Sequence, residues 1–448
     1  MREMKDSGIE WIGECASNCI FVPLKYFLED NEAIKVGPFG SQLSGNDFVD
    51  EATDYWVYNQ RTVLDNNYET GNAYISQEKY RSMLSFHVHS EDILITTRGT
   101  IGKISKVPQK HKDGVLHPCI IRFRIDNKKY SYKLLELIFN YSDIITRQIN
   151  YKSNATTIEV IYSETLKNVI LPYYDIETQI QIANYLDKKC TEIDSLILDI
   201  QKQIETLEQY KRSVITEAVT KGLYPNTKMK DSGVQWIGEI PEHWEILKIK
   251  YVIDEISDID HYMPDSVDEG IPYIMIGNLS DRISKINFNE CKHVSNADFE
   301  ILSKKSKTER DDVIFARYAT IGTVCYVDID LDFLVSYACV TIHPNSEVLS
   351  GLFFYYYLKS VVFIEDVKQY INSNTQGNVG IDSLYKVRLT FPPLKEQQQI
   401  ADYLDEKCAE IDSIIAEKKK QIETIEEYKK SLIFEYVTGK KEVNANEE

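Results

Sequence analysis

The sequence predicts an α+β protein built twice over: two globular bodies of mixed helix and strand, each followed by one long helix. Three observations predict it. The chain repeats itself, because MKDSGIEWIGE at 4–14 returns as MKDSGVQWIGE at 229–239, and the stretch from Ala183 returns from Ala401 with more than half of its positions identical. That second stretch carries a heptad pattern, and the segments between the anchors are short β-prone runs set off by turn residues. A repeat of this length decides the architecture before any motif is considered.

The elements follow in chain order. In the first body, roughly 15–178, the runs 92–97 and 119–125 read as strands among turn signals at Gly99, Gly102 and Pro108, and a helical stretch follows near 130–150. The second body, 240–396, repeats this with strands at 273–276 and 335–342, turns at Gly277 and Gly322, and a helical stretch over 348–371. DILITTRGTIG at 92–102 aligns with DVIFARYATIG at 312–322, and Asn59 falls near Asn278. Each body is long enough to bury a core of its own.

In the first long helix Leu186, Ile193, Ile200, Leu207 and Val214 recur every seven residues, and Cys190, Ile197, Ile204, Lys211 and Ala218 follow each by four. This is the spacing of a coiled-coil seam. The second helix repeats it with Leu404, Cys408, Ile411, Ile415, Lys418, Ile422, Ile425, Lys429, Leu432 and Tyr436, so lysines interrupt the stripe. About forty residues at about 1.5 Å each make a rod of about 60 Å, and a stripe that long needs a partner, for which the other copy is the simplest choice. The boundaries that result are 1–178 for the first body, 179–228 for its helix and linker, 229–396 for the second body and 397–448 for the second helix and tail.

With 448 residues, 43% hydrophobic and 27% charged, the composition is that of ordinary globular domains and excludes collagen-like and wholly disordered chains. No apolar run approaches about 18 residues and the opening lacks the order of a secretory signal, which predicts a cytoplasmic protein with no membrane partner. The eight cysteines form no CxxC pair and read as reduced thiols. A net charge of −19 argues against nucleic acid as a partner, yet residues 96–133 hold ten Lys and Arg against Asp113 and Asp126, a local excess of +8.

No catalytic constellation stands out. TIGK at 100–103 fails the spacing of a phosphate-binding loop and has no following Ser or Thr, GPFGSQ at 37–42 has too few glycines for a dinucleotide fingerprint, and the eight histidines show no metal-ligand spacing. The expectation is no catalytic residue and no metal ligand.

Several segments together resemble the specificity subunit of type I restriction–modification systems. They are FPPLKEQQQIADYLDEKCAEIDSII at 391–415, LPYYDIETQIQIANYLDKKCTEIDSLI at 171–197, VGPFGSQL at 36–43, RGTIGK at 98–103 and the KDSG(V/I)(E/Q)WIGE opening of each body. The resemblance covers essentially the whole chain. It implies two DNA target recognition domains, separated by two long helices that form an antiparallel coiled coil with internal pseudo-two-fold symmetry. Each domain would read one half of an asymmetric bipartite sequence in double-stranded DNA. The chain would be non-catalytic and would bind no cofactor. Two methylation subunits would bring S-adenosylmethionine and methylate adenine, and restriction subunits with motor and nuclease activity would bring ATP and Mg.

Under that resemblance, candidates for DNA contact in the first body are Lys35, Phe39, Ser41, Gln42, Asn59, Arg61, Arg98, Thr100 and Lys103. In the second body they are Asn278, Arg282, Arg317, Thr320, Asn374 and Gln376. Arg, Asn and Gln pair bidentately with guanine or adenine, and turn glycines let backbone approach phosphate. Arg98→Ala and Arg317→Ala are each expected to cost about 1–3 kcal/mol of binding. The helix contact would run through Leu186, Ile193, Ile197, Ile204, Leu207, Leu404, Ile411, Ile415, Ile422 and Ile425. Two other classes fit an acidic chain without enzyme motifs: a DNA mimic that inhibits such a system, and a coiled-coil adaptor whose bodies bind protein.

Overall fold

Both heptad stretches fold as single long helices, Ile176–Lys221 and Leu394–Val437. The computed structural model describes residues 3–10, 12–30, 32–71, 73–153, 160–259, 262–318, 321–371 and 378–443. The first helix begins seven residues before the Ala183 anchor. Asp175 caps it there, its Oδ1 accepting from Thr178 N at 2.9 Å. The compact units are Met1–Ile200 with Lys420–Glu448, and Gln201–Lys419, so each unit owns one body and part of each long helix.

In the first unit one antiparallel sheet runs in the order Lys35–Val36, Ile120–Phe123, Ile93–Thr96, Ile104–Lys106. A second sheet is built on Gly114–Leu116 lying parallel to Trp56–Tyr58. The second unit repeats both. Its antiparallel sheet runs Ile253–Ser257, Cys339–Pro344, Val313–Ala316, Val324–Tyr326, and Leu334–Val335 lies parallel to Ile271–Ile274. Helices Tyr132–Tyr141 and Ile144–Ser153 follow in the first body, and Gly351–Lys359 and Val361–Lys368 in the second. Parallel strands need a crossover, and in both bodies it passes through the antiparallel sheet.

Leu186, Ile204, Leu404, Ile411 and Ile415 are buried, and Ile193, Ile197, Leu207, Ile422 and Ile425 are half-buried. Towards the bodies the helices also join the cores, Leu186 and Cys190 with Leu134 and Ile138 in the first unit, Leu404 and Cys408 with Phe353 and Val387 in the second. The lysines that interrupt the stripe meet acids on the opposite helix. Lys211 Nζ lies 2.7 Å from Asp412 in the second unit, and Lys429 Nζ 2.7 Å from Asp194 in the first. These are one pair exchanged by the repeat, and within each unit the register is antiparallel, with Gln203 opposite Lys418 and Tyr185 opposite Tyr436.

The EQ..IA wording has a structural cause. Gln179 and Gln397 are fully buried and hold the same bracket in each unit. Gln397 Oε1 accepts from Ser350 N at 2.9 Å, while its Nε2 donates to Val348 O at 3.0 Å and Pro392 O at 2.9 Å. Gln179 does likewise with Ser131 N, Lys129 O and Tyr174 O. One amide side chain thus satisfies three backbone groups where the long helix leaves the body.

A second repeated device caps the strand that begins DILI or DVIF. Asp92 accepts from His89 N at 2.7 Å, and Asp312 from Glu309 N at 2.6 Å. Their cationic partners differ. Asp92 pairs with Arg124, and Asp312 lies 3.0 Å from His343 Nδ1. Burial pushes the Asp312 carboxyl above its ordinary range. Burial alone would lower His343, but the hydrogen bond and charge of Asp312, with Glu255 and Glu309 adding, raise it above its ordinary 6.5. The native state therefore binds more protons than the unfolded one, and stability is full below about pH 6.5 and falls as pH rises through the folded value. Denaturation of the full chain from pH 6 to 9 should show this loss, and His343→Gln should remove it. A wild-type curve parallel to that of the variant would contradict it.

Candidate nucleic-acid interface

In the first unit four segments meet at one edge of the parallel strand pair. His117 follows the strand Gly114–Leu116, and its N donates to Tyr58 O at 3.0 Å, which brings it beside Asn59. Asn59 caps the helix Gln60–Asp65, its Oδ1 accepting from Arg61 N at 3.0 Å and Thr62 N at 3.3 Å. The turn after Ile93–Thr96 is tied in through Thr97, whose N and Oγ1 both donate to Cys119 O, and Gly99 lies against the Gln60 side chain. Gly37 donates to Ile120 O at 2.9 Å and passes so close to His117 that a Cβ would sit 2.1 Å from its carbonyl oxygen. Only glycine fits there, which gives the first glycine of GPFGSQ a packing role.

The edge brings together most of the first-body candidates. Phe39 is 76% exposed at the tip of a turn closed by Gln42, whose Oε1 accepts from Phe39 N at 3.1 Å. Ser41, Gln42, Arg61, Arg98 and Thr100 are exposed, and Asn59 is half-buried by its capping role. Arg61 faces Asp65 at 3.2 Å. Lys35, two residues before Gly37, holds its ammonium 4.6 Å over the Phe86 ring. Lys103 lies apart, its ammonium donating to Asn140 O, and burial with the nearby Lys430 lowers its pKa.

Six of the ten basic residues behind the local excess of +8 meet acids of the same unit. Lys106 pairs with Glu91, Lys112 with Asp54, Arg122 and Arg124 with Asp92, Lys129 with Asp126 and Lys133 with Asp187. Arg98 stands out of this web as an exposed guanidinium on the loop beside His117.

The second body distributes its candidates differently. Arg317 is 9% exposed, with Nη2 donating to Asp258 and to Tyr337 O. Arg282 reaches Asp405 on the long helix and lies 5.3 Å over the Tyr326 ring. Asn278 Oδ1 accepts from Met275 N at 3.0 Å and closes its own turn. Thr320, Asn374 and Gln376 lie outside the described residues.

Alignment of the two copies explains the contrast. Position 317 corresponds to Thr97, which faces inward, and position 318 corresponds to Arg98, so Tyr318 takes the place of the exposed arginine. His117 corresponds to Ser336, because Ser336 N donates to Ile274 O and Ser336 O accepts from Cys339 N as His117 does with Tyr58 O and Ile120 N. Sequence reasoning missed His117, Tyr318 and Ser336; the DILITTRGTIG alignment finds Tyr318, and the strand registers find the other two.

Among the described residues no group of three or more His, Cys, Asp or Glu side chains is placed to hold a metal ion, and no helix is long and apolar enough to cross a membrane. The edge offers donors, acceptors and an exposed aromatic ring, which suits base edges and phosphates and provides no nucleophile with its base.

The comparisons with known proteins agree with this description. The model of the family described as type I restriction modification DNA specificity domain matches residues 44–206 and again 241–424. The MjaVIII specificity subunit of a type I restriction enzyme from Methanocaldococcus jannaschii is 25% identical over 423 residues, which cover 92% of this chain and 93% of that protein. The EcoBI specificity subunit from Escherichia coli is 20% identical over 336 residues, covering 73% of this chain and 69% of its own length. A solved chain from work on complex assembly and conformational transition of the type I R-M system has the same fold, with a TM-score of 0.67 at 15% identity, covering 94% of this chain and 98% of that one. Two matches to one family model, one in each repeat and together more than half of the chain, show that this protein belongs to the type I restriction–modification specificity subunits.

Proposed function

We propose that this non-catalytic specificity subunit reads an asymmetric bipartite sequence in double-stranded DNA, one half with each body, and directs adenine methylation and DNA cleavage by partner subunits. The observation that carries the reading is one scaffold presented twice with different side chains at its reading edge. The strand registers, the parallel pair, the buried glutamine and the capping aspartate recur, while Arg98 becomes Tyr318 and His117 becomes Ser336. Equal scaffolds suit two half-sites, and unequal edges suit two different base sequences. S-adenosylmethionine, ATP and Mg belong on the partners in this reading, two methylation subunits and the restriction subunits.

Mapping methylated adenines in a host genome with and without the gene is the direct test. One interrupted motif that disappears with the gene supports the reading, and an unchanged map overturns it. A second outcome concerns affinity. With a net charge of −19 and most of the basic cluster paired internally, the isolated chain should bind its site far more weakly than the assembled complex at physiological salt. Nanomolar, sequence-specific binding by the chain alone would contradict this.

A further inference from the structure

His117 combines a fixed orientation with an unused donor. Its Nδ1 accepts from Cys119 N at 3.1 Å across a two-residue turn, so the neutral ring carries its hydrogen on Nε2. The surroundings keep the ring neutral. Burial lowers its pKa below the ordinary 6.5, and the charge of Arg98 lowers it further. The backbone is held on both sides, through Tyr58 O before the residue and through Ile120 N, which donates to His117 O at 3.0 Å. The residue is half-buried at the rim of an apolar cluster that includes Trp56, Tyr58, Leu116 and Ile120.

We infer that His117 is a base-reading residue of the first half-site, its Nε2–H donating to an acceptor on a base edge. This rests on the DNA-reading role proposed above and adds to it a specific residue and a specific chemistry. A neutral imidazole held by Nδ1 donates one hydrogen bond, so it selects acceptors such as N7 or O6 of guanine, N7 of adenine or O4 of thymine, and disfavours the amino group of cytosine. Being uncharged, it displaces no counterion from phosphate. Arg98 on the neighbouring loop supplies the cation, so the two residues divide the work between a phosphate or guanine contact and a neutral donor. The second body carries a serine, Ser336, at the corresponding position, which makes this a site where the two bodies present different groups.

Two substitutions separate reading from folding. In His117→Asn the side-chain oxygen takes over from Nδ1, accepting from Cys119 N in an Asx turn, but no donor reaches as far as Nε2. In His117→Gln the amide nitrogen stands where Nε2 stood and the donor is kept. With the full chain assembled with its methylation subunits, duplex selection should show His117→Asn losing preference at one base of the first half-site by on the order of tenfold, the worth of one neutral hydrogen bond. The second half-site and the salt dependence of binding should be unchanged, and His117→Gln should recover most of the preference. A uniform loss across sequences with a shallower salt slope would make His117 a phosphate contact and overturn the inference, as would unchanged selection by His117→Asn. Failure of the wild-type complex to select any interrupted sequence would instead overturn the DNA-reading role itself, so the two failures are distinguishable.

Discussion

Replacing Gln397 by leucine should destabilise the second unit by about 3–5 kcal/mol, because three buried backbone groups lose their partner at once and each unmade bond costs about 1–3 kcal/mol. The groups are Ser350 N, Val348 O and Pro392 O, and the side chain that serves them is fully buried. Leucine fills a similar volume, so the loss measures polar satisfaction and not a cavity. Gln179→Leu should produce the same loss in the first unit, through Ser131 N, Lys129 O and Tyr174 O. Denaturant midpoints of the two variants, read with an unchanged slope, check this. A loss below about 1 kcal/mol in both would show that water replaces the bracket and that the glutamine is not what fixes the helix start.

Arg98→Ala and Arg317→Ala should fail in different ways, although the sequence presents them as equals. Arg98 is exposed on a loop, so its removal should leave stability within about 0.5 kcal/mol and weaken selection of the first half-site by about 1–3 kcal/mol. Arg317 is 9% exposed and faces Asp258 and the Tyr337 carbonyl, so its removal should cost the second unit about 3 kcal/mol of stability. Any loss of DNA selection would follow from that unfolding. Thermal denaturation beside duplex selection separates the two outcomes. Equal stability of both variants together with a binding defect in Arg317→Ala would return Arg317 to the reading edge.

The pH response of His343 belongs to the same contrast between copies. One capping aspartate is partnered by arginine and the other by histidine, so of these two pairs only the one in the second unit should weaken as pH rises through neutrality. Both partners do the same structural job. Histidine alone can lose its charge near neutrality.

The duplication and the heptads were legible because both are periodic signals of local chemistry. A seam of Leu186, Ile193, Leu404 and Ile411 has to be covered wherever it lies, and the 4–14 and 229–239 copies identify themselves. Part of the candidate edge was legible as well: Gly99 marked a turn, and Asn59 and Arg98 were named as candidates for DNA contact. What a residue faces was not legible. Arg317 and Arg98 look alike in a string, yet a strand alternates its faces, and a shift of one position in the alignment turns one inward to Asp258 and leaves the other exposed. The +8 cluster shows the same limit, since several of its charges are paired with Asp54, Glu91, Asp92 and Asp187 from other parts of the first unit. The sequence by itself determined the repeat, the helices and their seam, because those depend on spacing along the chain. Only the tertiary structure decided which charges remain for a ligand, because pairing and burial depend on segments that meet through space.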